Sequence, residues 1–150
     1  MKFVPGYKYQ LAKSEVTPTS IQPEETLTTE WLMLDTDGIL TIEKGYAWDG
    51  PSGPTYDSRN SLRASLIHDA LYQLIRLELL PPYHRRAADL DLDRILKEDG
   101  MWSLRRWYWI RGVRWFASSA IDPDNVKKIL DAPSWQMKSL RSYLPIFRYI

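Results

Sequence analysis

Apolar residues in the middle of the chain recur at helical spacing. They occupy positions i, i+3, i+4, i+7, i+8 and i+11, the pattern of one buried stripe on an amphipathic helix: Ala64, Ile67, His68, Leu71, Tyr72 and Ile75. The pattern predicts a helix that begins near Asn60 or Ser61, either of which can cap it, and ends near Leu77. Because His68 and Tyr72 fall within the stripe, we expect both side chains to be buried and to need polar partners.

Helical patterns continue through the rest of the C-terminal half. A second helix is expected at His84–Glu98, after a Pro-Pro turn, and Gly100 is placed to end it. A third helix is expected at Met101–Ser119 and a short one at Val126–Leu130. Because a short turn joins the first two helices, we expect them to pack antiparallel.

Residues 1–48 have the pattern of β-strands instead. Two apolar stretches, Thr28–Leu34 and Ile39–Ile42, flank the sequence DTDG at 35–38, which predicts a hairpin whose glycine has a positive φ. The two aspartates also resemble the start of an EF-hand loop, but the other ligand positions are missing, so we interpret the segment as a turn. Between Val4 and Ile21 we expect one or two strands, which prolines keep short or at an edge.

Together these patterns predict a single domain of the α+β class. An N-terminal antiparallel β part at 1–48 is followed by a Gly/Pro loop at 49–60 and a helical part at 61–119. The helical part consists of an antiparallel pair and a third, aromatic-rich helix, and a C-terminal extension occupies 120–150. A chain of 150 residues is long enough to bury a substantial core.

Composition narrows the picture in a few respects. The 20 basic and 19 acidic side chains nearly cancel, so net charge indicates no class of partner. The absence of cysteine excludes disulfides and cysteine-ligated metals. No apolar stretch is long enough for a membrane span, and the N-terminus lacks the apolar segment of a signal peptide, so we expect synthesis in a cytoplasm.

The first two helices carry the residues of a candidate catalytic site. Antiparallel packing would bring Asp89 alongside His68, with Tyr72 nearby. A carboxylate that holds a histidine fixes its tautomer and stabilises the imidazolium, so such a histidine can act as a general base for water. We therefore expect the His68 side chain within hydrogen-bonding distance of Asp89, and the Tyr72 hydroxyl near Asp89 as well.

A calcium site is a second expectation. Asp69 is rotated by about 100° from His68 and faces whatever flanks the helix. The preceding loop is rich in glycine and proline, and such a loop can direct its carbonyl oxygens at a hard cation. The expected ligands are carboxylates and loop residues: Asp69, Asp49, Trp48, Gly50, Ser52 and Gly53.

These residues resemble part of the secretory phospholipase A₂ superfamily, most closely its cysteine-free branch in parvovirus capsid proteins. The likeness rests on His68-Asp69-x-x-Tyr72, on the Gly-rich loop before it and on Ala88-Asp89-x-x-Leu92, and spans about a third of the chain. It implies a calcium-dependent ester hydrolase acting on phospholipid. His68 would activate water, Asp69 would bind calcium, and Asp89 would orient His68 with help from Tyr72.

A second resemblance covers about two thirds of the chain. The loop GYAWDGPSGP at 45–54, followed by HDALY at 68–72, resembles a family of phage and prophage proteins of unknown function. That resemblance implies synthesis in a host cytoplasm and association with a virion, but supplies no activity. The alternative function is therefore a non-catalytic virion or accessory protein, in which the helix pair is a scaffold and the surface rich in tryptophan and arginine is a protein interface.

The remaining polar and aromatic residues have structural interpretations. Acidic residues on the second helix alternate with Arg94 and Lys97 and are expected to form a solvated face: Asp91, Asp93, Glu98 and Asp99. His84 is expected to be exposed. The third helix, rich in tryptophan and arginine, could pack in the core, lie on a membrane surface or contact a partner protein. Nucleic acid is not expected, since four arginines make a weak basic patch.

Other hydrolase classes fit the sequence less well. Phosphohydrolases of the HD type need an upstream histidine that this chain lacks, and zinc hydrolases need more His or Cys than two histidines provide. A serine nucleophile elbow is also absent. The two hypotheses that remain are the phospholipase-like hydrolase and the phage structural protein.

Overall fold

Most of the strands precede the helices along the chain, and the fold is of the α+β class that the sequence predicts. A computed structural model describes residues 2–3, 8–50, 59–123 and 130–131, with side chains at 8–50, 61–113 and 121–123. The strands are β1 (Lys2–Phe3), β2 (Tyr9–Gln10), β3 (Glu15–Pro18), β4 (Leu27–Thr28), β5 (Leu32–Leu34), β6 (Ile39–Ile42), β7 (Ala47–Trp48) and β8 (Leu130–Asp131). The helices are α1 (Arg59–Arg76), α2 (Arg85–Glu98) and α3 (Ser103–Ala120), and a 3₁₀ turn at Pro82–His84 precedes α2.

The largest sheet has four antiparallel strands in the order β3-β6-β5-β4. Alternate residues of β5 and β6 point into the core, so that Leu34 pairs with Leu40 and Leu32 with Ile42. The predicted hairpin is present between these strands, where Asp35 Oδ1 accepts hydrogen bonds from backbone N–H groups and Gly38 has φ +81°. Strand β3 lies at the edge, which suits its proline.

Two shorter pairings connect distant parts of the chain. Strand β1 pairs with β8, which joins the two ends of the described chain. Strand β2 pairs with β7, with Tyr9 opposite Trp48. The second pairing fixes the segment that leads into the Gly/Pro loop.

Helices α1 and α2 pack antiparallel, as predicted. Arg63, near the start of α1, forms ion pairs with Glu98 and Asp99 at the end of α2, whereas Tyr72 contacts Asp89 further towards the start of α2. All six positions of the predicted stripe are buried, and a second row on α1 is buried as well: Leu66, Ala70 and Leu74. One hydrophobic core therefore contains residues of the sheet and of all three helices.

Helix α2 ends at Glu98, before Gly100, as its sequence predicts. Backbone N–H groups of Gly100 and Met101 donate to the carbonyls of Lys97 and Leu96, which is the Schellman arrangement. Met101 is buried behind this turn. Helix α3 thus begins immediately after the turn and folds back towards α2.

Several predicted boundaries differ from the observed ones. Helix α1 begins at Arg59, so Asn60 and Ser61 lie within it and cannot cap it. A 3₁₀ turn occupies Pro82–His84, so α2 begins at Arg85, one residue later than expected. The predicted short helix at Val126–Leu130 lies outside the described residues except for Leu130, which belongs to β8.

Within the described residues, no helix has both the length and the apolar character needed to cross a bilayer.

Candidate active site

A buried cluster of three side chains joins α1 to α2. The Nε2 atom of His68 lies 3.0 Å from Oδ1 of Asp89, and the Tyr72 hydroxyl donates to the same oxygen at 2.6 Å. The predicted contacts of His68 and Tyr72 with Asp89 are therefore present. All three residues are less than 10 % exposed, so water competes little for these hydrogen bonds.

The helical spacing explains how the cluster forms. His68 and Tyr72 are four residues apart on α1 and face the same way, and their rings pack at 3.9 Å between centroids. Asp89 approaches from α2, where Ala88 and Leu92 are also buried against α1. The buried stripe directs the two donors at one carboxylate.

Charge and hydrogen bonding together determine the state of Asp89. Burial alone would raise the pKa of this carboxyl, but hydrogen bonds from His68 and Tyr72 and the nearby charges of His68 and Arg85 outweigh it, and the pKa is lowered. Asp89 is thus a carboxylate at neutral pH and accepts both hydrogen bonds. Burial, followed by the hydrogen bond to Asp89, raises the pKa of Tyr72 well above its ordinary value, so its hydroxyl stays a donor.

An ionised Asp89 fixes the tautomer of a neutral His68. Because the carboxylate can only accept, Nε2 must carry the proton and donate it. The lone pair of the ring then lies on Nδ1, which makes no hydrogen bond to any described residue. The arrangement leaves Nδ1 chemically available as a base.

Asp69 lies on a different stripe of α1. Ser65, Asp69 and Gln73 follow one another at intervals of four residues, and the two outer ones contact the segment that contains β7. Trp48 Nε1 donates to Ser65 Oγ at 3.3 Å, and Tyr46 Oη donates to Gln73 Oε1 at 2.9 Å. Asp69 is half-buried and lies between these two contacts, on the stripe of α1 that meets this segment.

The other expected calcium ligands are distributed around this segment. Asp49 is exposed, whereas Trp48 and Gly50 are buried. Gly50 has φ +78°, and a Cβ atom there would lie 2.5 Å from the ring of Tyr9, so the backbone and this ring are in close contact. Ser52 and Gly53 lie outside the described residues.

Metal binding in this region would depend on backbone oxygens. Among the described residues, no group of three or more His, Asp or Glu side chains is arranged to hold a metal ion. Asp69, half-buried on the stripe of α1 that meets the segment containing β7, supplies one carboxylate. The residues fit calcium, which accepts carbonyl ligands, better than a metal that needs several side-chain ligands.

Asp91 is the acidic residue whose surroundings differ most from the sequence prediction. It is almost fully buried rather than solvated, and its Oδ2 accepts hydrogen bonds from the backbone N–H and the hydroxyl of Ser20 at 2.7 and 2.9 Å. Its other oxygen binds Arg94, which in turn donates to the carbonyl of Pro18. Asp91 thus ties α2 to the end of β3, two residues from Asp89.

Of the other members of the expected solvated face, Glu98 and Asp93 follow the prediction more closely, whereas Asp99 is half-buried and pairs with Arg63 at 2.8 Å. Glu98 is exposed and pairs with Arg94 at 2.7 Å, and Asp93 pairs with Arg106 of α3 at 2.7 Å. His84 is half-buried rather than exposed, and its ring packs on Tyr83. Burial lowers the pKa of His84, so this histidine is neutral at physiological pH.

Sequence reasoning also missed Arg85 as a neighbour of the cluster. Its charge contributes to the lowered pKa of Asp89. The signal was available, because Arg85 precedes Asp89 by four residues on a predicted helix.

Comparison of the chain with protein-family models, with curated proteins and with solved structures finds no match.

Proposed function

We propose that this protein is a phospholipase A₂-like hydrolase in which His68 activates water for attack on a phospholipid ester. The observation that carries the proposal is the convergence of His68 Nε2 and Tyr72 Oη on one buried oxygen of Asp89. That arrangement resembles the machinery of a histidine general base. The sequence resemblance to the phospholipase A₂ superfamily supplies the substrate class.

In the proposed hydrolysis, each of the three clustered side chains has one role. Nδ1 of His68 removes a proton from water, whose oxygen attacks the ester carbonyl carbon. Asp89, ionised and buried, stabilises the imidazolium that forms, and Tyr72 holds the carboxylate in place. The proton on Nδ1 then passes to the departing alkoxide, which leaves as the lysophospholipid alcohol while the fatty acid is released.

Asp69 would hold the calcium ion in this proposal, together with carbonyl oxygens of the Trp48–Gly53 segment. Its position on α1 between the contacts to Trp48 and Tyr46 supports this role, because these contacts hold that stripe of the helix against the segment that contains β7. Asp49 would be an added ligand. When bound there, calcium would polarise the ester carbonyl and stabilise the negative charge that develops on its oxygen.

The phage setting is a further part of the proposal and rests on the resemblance of the loop and the HDALY helix. In that setting the protein would be made in the host cytoplasm and associate with the virion. A second candidate function, the non-catalytic virion or accessory protein, is favoured by one observation. His68 is only 8 % exposed, as expected of a histidine that clamps two helices together.

A hydrolysis assay separates the two candidates. Fatty-acid release from phosphatidylcholine is measured with calcium and with a chelator, for wild type, His68→Ala and His84→Ala. The proposal predicts calcium-dependent release, lowered by about a hundredfold or more in His68→Ala, since general acid–base catalysis contributes that much. His84 is the matched control, and its substitution should leave the rate unchanged.

Two results would contradict the hydrolase and favour the scaffold. One is no release by wild type in calcium, and the other is equal release by wild type and His68→Ala. Thermal denaturation of each variant establishes that the compared proteins are folded.

A further inference from the structure

Helix α3 has an exposed apolar face. Leu104, Trp107, Tyr108 and Arg111 lie at i, i+3, i+4 and i+7 and share one side of the helix, which we call the outer face. The first three side chains are 59 %, 56 % and 56 % exposed. Trp102, immediately before the helix, is 70 % exposed. A contiguous exposed apolar patch on a protein commonly marks an interaction site.

The opposite face of α3 holds the helix in this orientation. Trp109 and Ile110 are buried in the core, and Arg106 forms an ion pair with Asp93 of α2 at 2.7 Å. Turning the outer face inward would expose these residues and break the ion pair. Trp107 and Tyr108 are therefore exposed because of the orientation in which α3 packs on the core. The prediction that α3 packs in the core applies only to the side chains on its inner face.

The charge on α3 has one sign. The helix carries four arginines and no acidic residue. On the outer face, the guanidinium of Arg111 lies 4.9 Å above the centre of the Trp107 ring, and it forms no ion pair within the described residues. A guanidinium held on an aromatic ring keeps its full charge and its hydrogen-bond donors for an anion.

Two other groups of exposed apolar residues lack this combination. On the outer side of the sheet, Val16 and Met33 flank Thr41 without a cation between them. Leu77 and Leu79 flank the acidic Glu78. Among the described residues, aromatic rings and an unpaired arginine coincide on the outer face of α3.

We propose that the outer face of α3 docks on the surface of an anionic phospholipid bilayer. Tryptophan and tyrosine rings are amphipathic and settle at the level of the headgroups, and arginine binds phosphate there. A uniformly negative surface suits a helix whose charged side chains are all arginine. The proposal rests on the proposed function in one respect, since it assigns the surface that would bring the hydrolase to its substrate.

Vesicle binding tests the docking face directly. Co-sedimentation of the full chain is measured with phosphatidylcholine vesicles and with vesicles that also contain phosphatidylglycerol. We expect wild type to bind the anionic vesicles and salt to weaken the binding. The double variant Trp107→Ala/Tyr108→Ala should bind about tenfold more weakly, and Arg111→Gln about fivefold more weakly on anionic vesicles alone.

Tyr83→Ala is the matched control, because Tyr83 is 75 % exposed but lies before α2. It should bind as wild type does. The proposal is overturned if wild type fails to bind anionic vesicles, or if the double variant binds like wild type. It is also overturned if ultracentrifugation shows a dimer that the double variant dissociates, because the face would then be covered by a second copy.

A short-chain phospholipid below its micelle concentration separates docking from catalysis. Its hydrolysis requires no surface. Hydrolysis of this monomer without vesicle binding would refute the docking face and leave the proposed function intact. Vesicle binding without any hydrolysis would refute the proposed function and leave the docking face intact.

Discussion

Within the buried cluster, Asp89 is the acceptor and both His68 and Tyr72 are donors. A buried carboxylate costs free energy unless its hydrogen bonds are satisfied, and here two donors share one oxygen. Removal of either donor should therefore lower the free energy of unfolding, because it leaves the buried Asp89 carboxylate with one hydrogen bond fewer. Tyr72 is the better probe of this coupling, because its substitution need not touch the histidine.

Tyr72→Phe removes the hydroxyl and keeps the ring. We expect a loss of about 1.5–3 kcal/mol in the free energy of unfolding at neutral pH, the usual value of a hydrogen bond to a charged group. Urea denaturation measures it. Tyr83→Phe, at an exposed ring, should change the stability by less than about 0.5 kcal/mol.

The raised pKa of Tyr72 also predicts a dependence on alkaline pH. In the unfolded chain this tyrosine ionises near its ordinary pKa of 10.0, whereas burial and Asp89 keep it protonated in the folded protein. Its contribution is therefore complete below pH 10 and is lost as the pH rises beyond that. The stability of wild type should fall more steeply above pH 10 than that of Tyr72→Phe; parallel curves would contradict the assignment.

Asp69 is the residue on which calcium binding is predicted to depend. If Asp69 and the loop carbonyls bind calcium, the ion at a hundred times its dissociation constant should add about 2.7 kcal/mol to the stability. Asp69→Asn should abolish this gain and leave the fold intact, while Asp37→Asn, on the exposed hairpin turn, should preserve it. Calcium-dependent thermal denaturation measures the gain, and no shift in wild type at millimolar calcium would argue against the site.

Among the elements, α2 is fixed on two sides. Asp89 binds α1, and Asp91 binds Ser20 beyond the end of β3. Arg94 adds a second link from α2 to the same end of β3. The orientation of Asp89 towards His68 therefore depends on contacts with the sheet as well as with α1.

Asp91→Ala should destabilise the protein by about 1.5–3 kcal/mol, because it removes a buried carboxylate that accepts hydrogen bonds from Ser20 and Arg94. Asp93→Ala, two residues along α2, removes an ion pair whose carboxylate is 42 % exposed and should cost less than about 1 kcal/mol. Denaturation of the two variants side by side gives the comparison. Equal losses would mean that the Ser20 contact contributes little.

Helix α3 contains a glycine that packing does not require. A Cβ atom at Gly112 would meet nothing within 4 Å. Glycine lowers helix stability relative to alanine, so Gly112→Ala should raise the melting temperature and add about 0.5–1 kcal/mol. Unchanged or lower stability in this variant would show that the position is packed.

Across the whole molecule, the spacing of apolar residues was sufficient to predict an element wherever one face of that element is buried. The stripe from Ala64 to Ile75 predicted α1, its buried histidine and its contact with Asp89 on an antiparallel α2. The DTDG sequence and Gly100 predicted a turn and a helix end, because both depend on local backbone geometry. The turn and the helix end can therefore be predicted without knowledge of distant residues.

What could not be predicted depends on contacts between distant parts of the chain. Asp91 looked solvated because its partner, Ser20, lies 71 residues away. The contacts that Tyr46 and Trp48 make with α1 have no local signature either. Helix α3 has tryptophan on both faces, so its sequence alone did not show which face is buried.

The state of the His68 ring tests the central claim most directly. The claim is that an ionised Asp89 holds His68 with its proton on Nε2, so that Nδ1 can act as the base. Nitrogen-15 NMR of the imidazoles distinguishes the tautomers, and the chain has two histidines, so His84 serves as an internal reference. We predict a slowly exchanging Nε2–H for neutral His68 that becomes fast-exchanging in Asp89→Ala. A proton on Nδ1, or exchange unaffected by Asp89→Ala, would contradict the account.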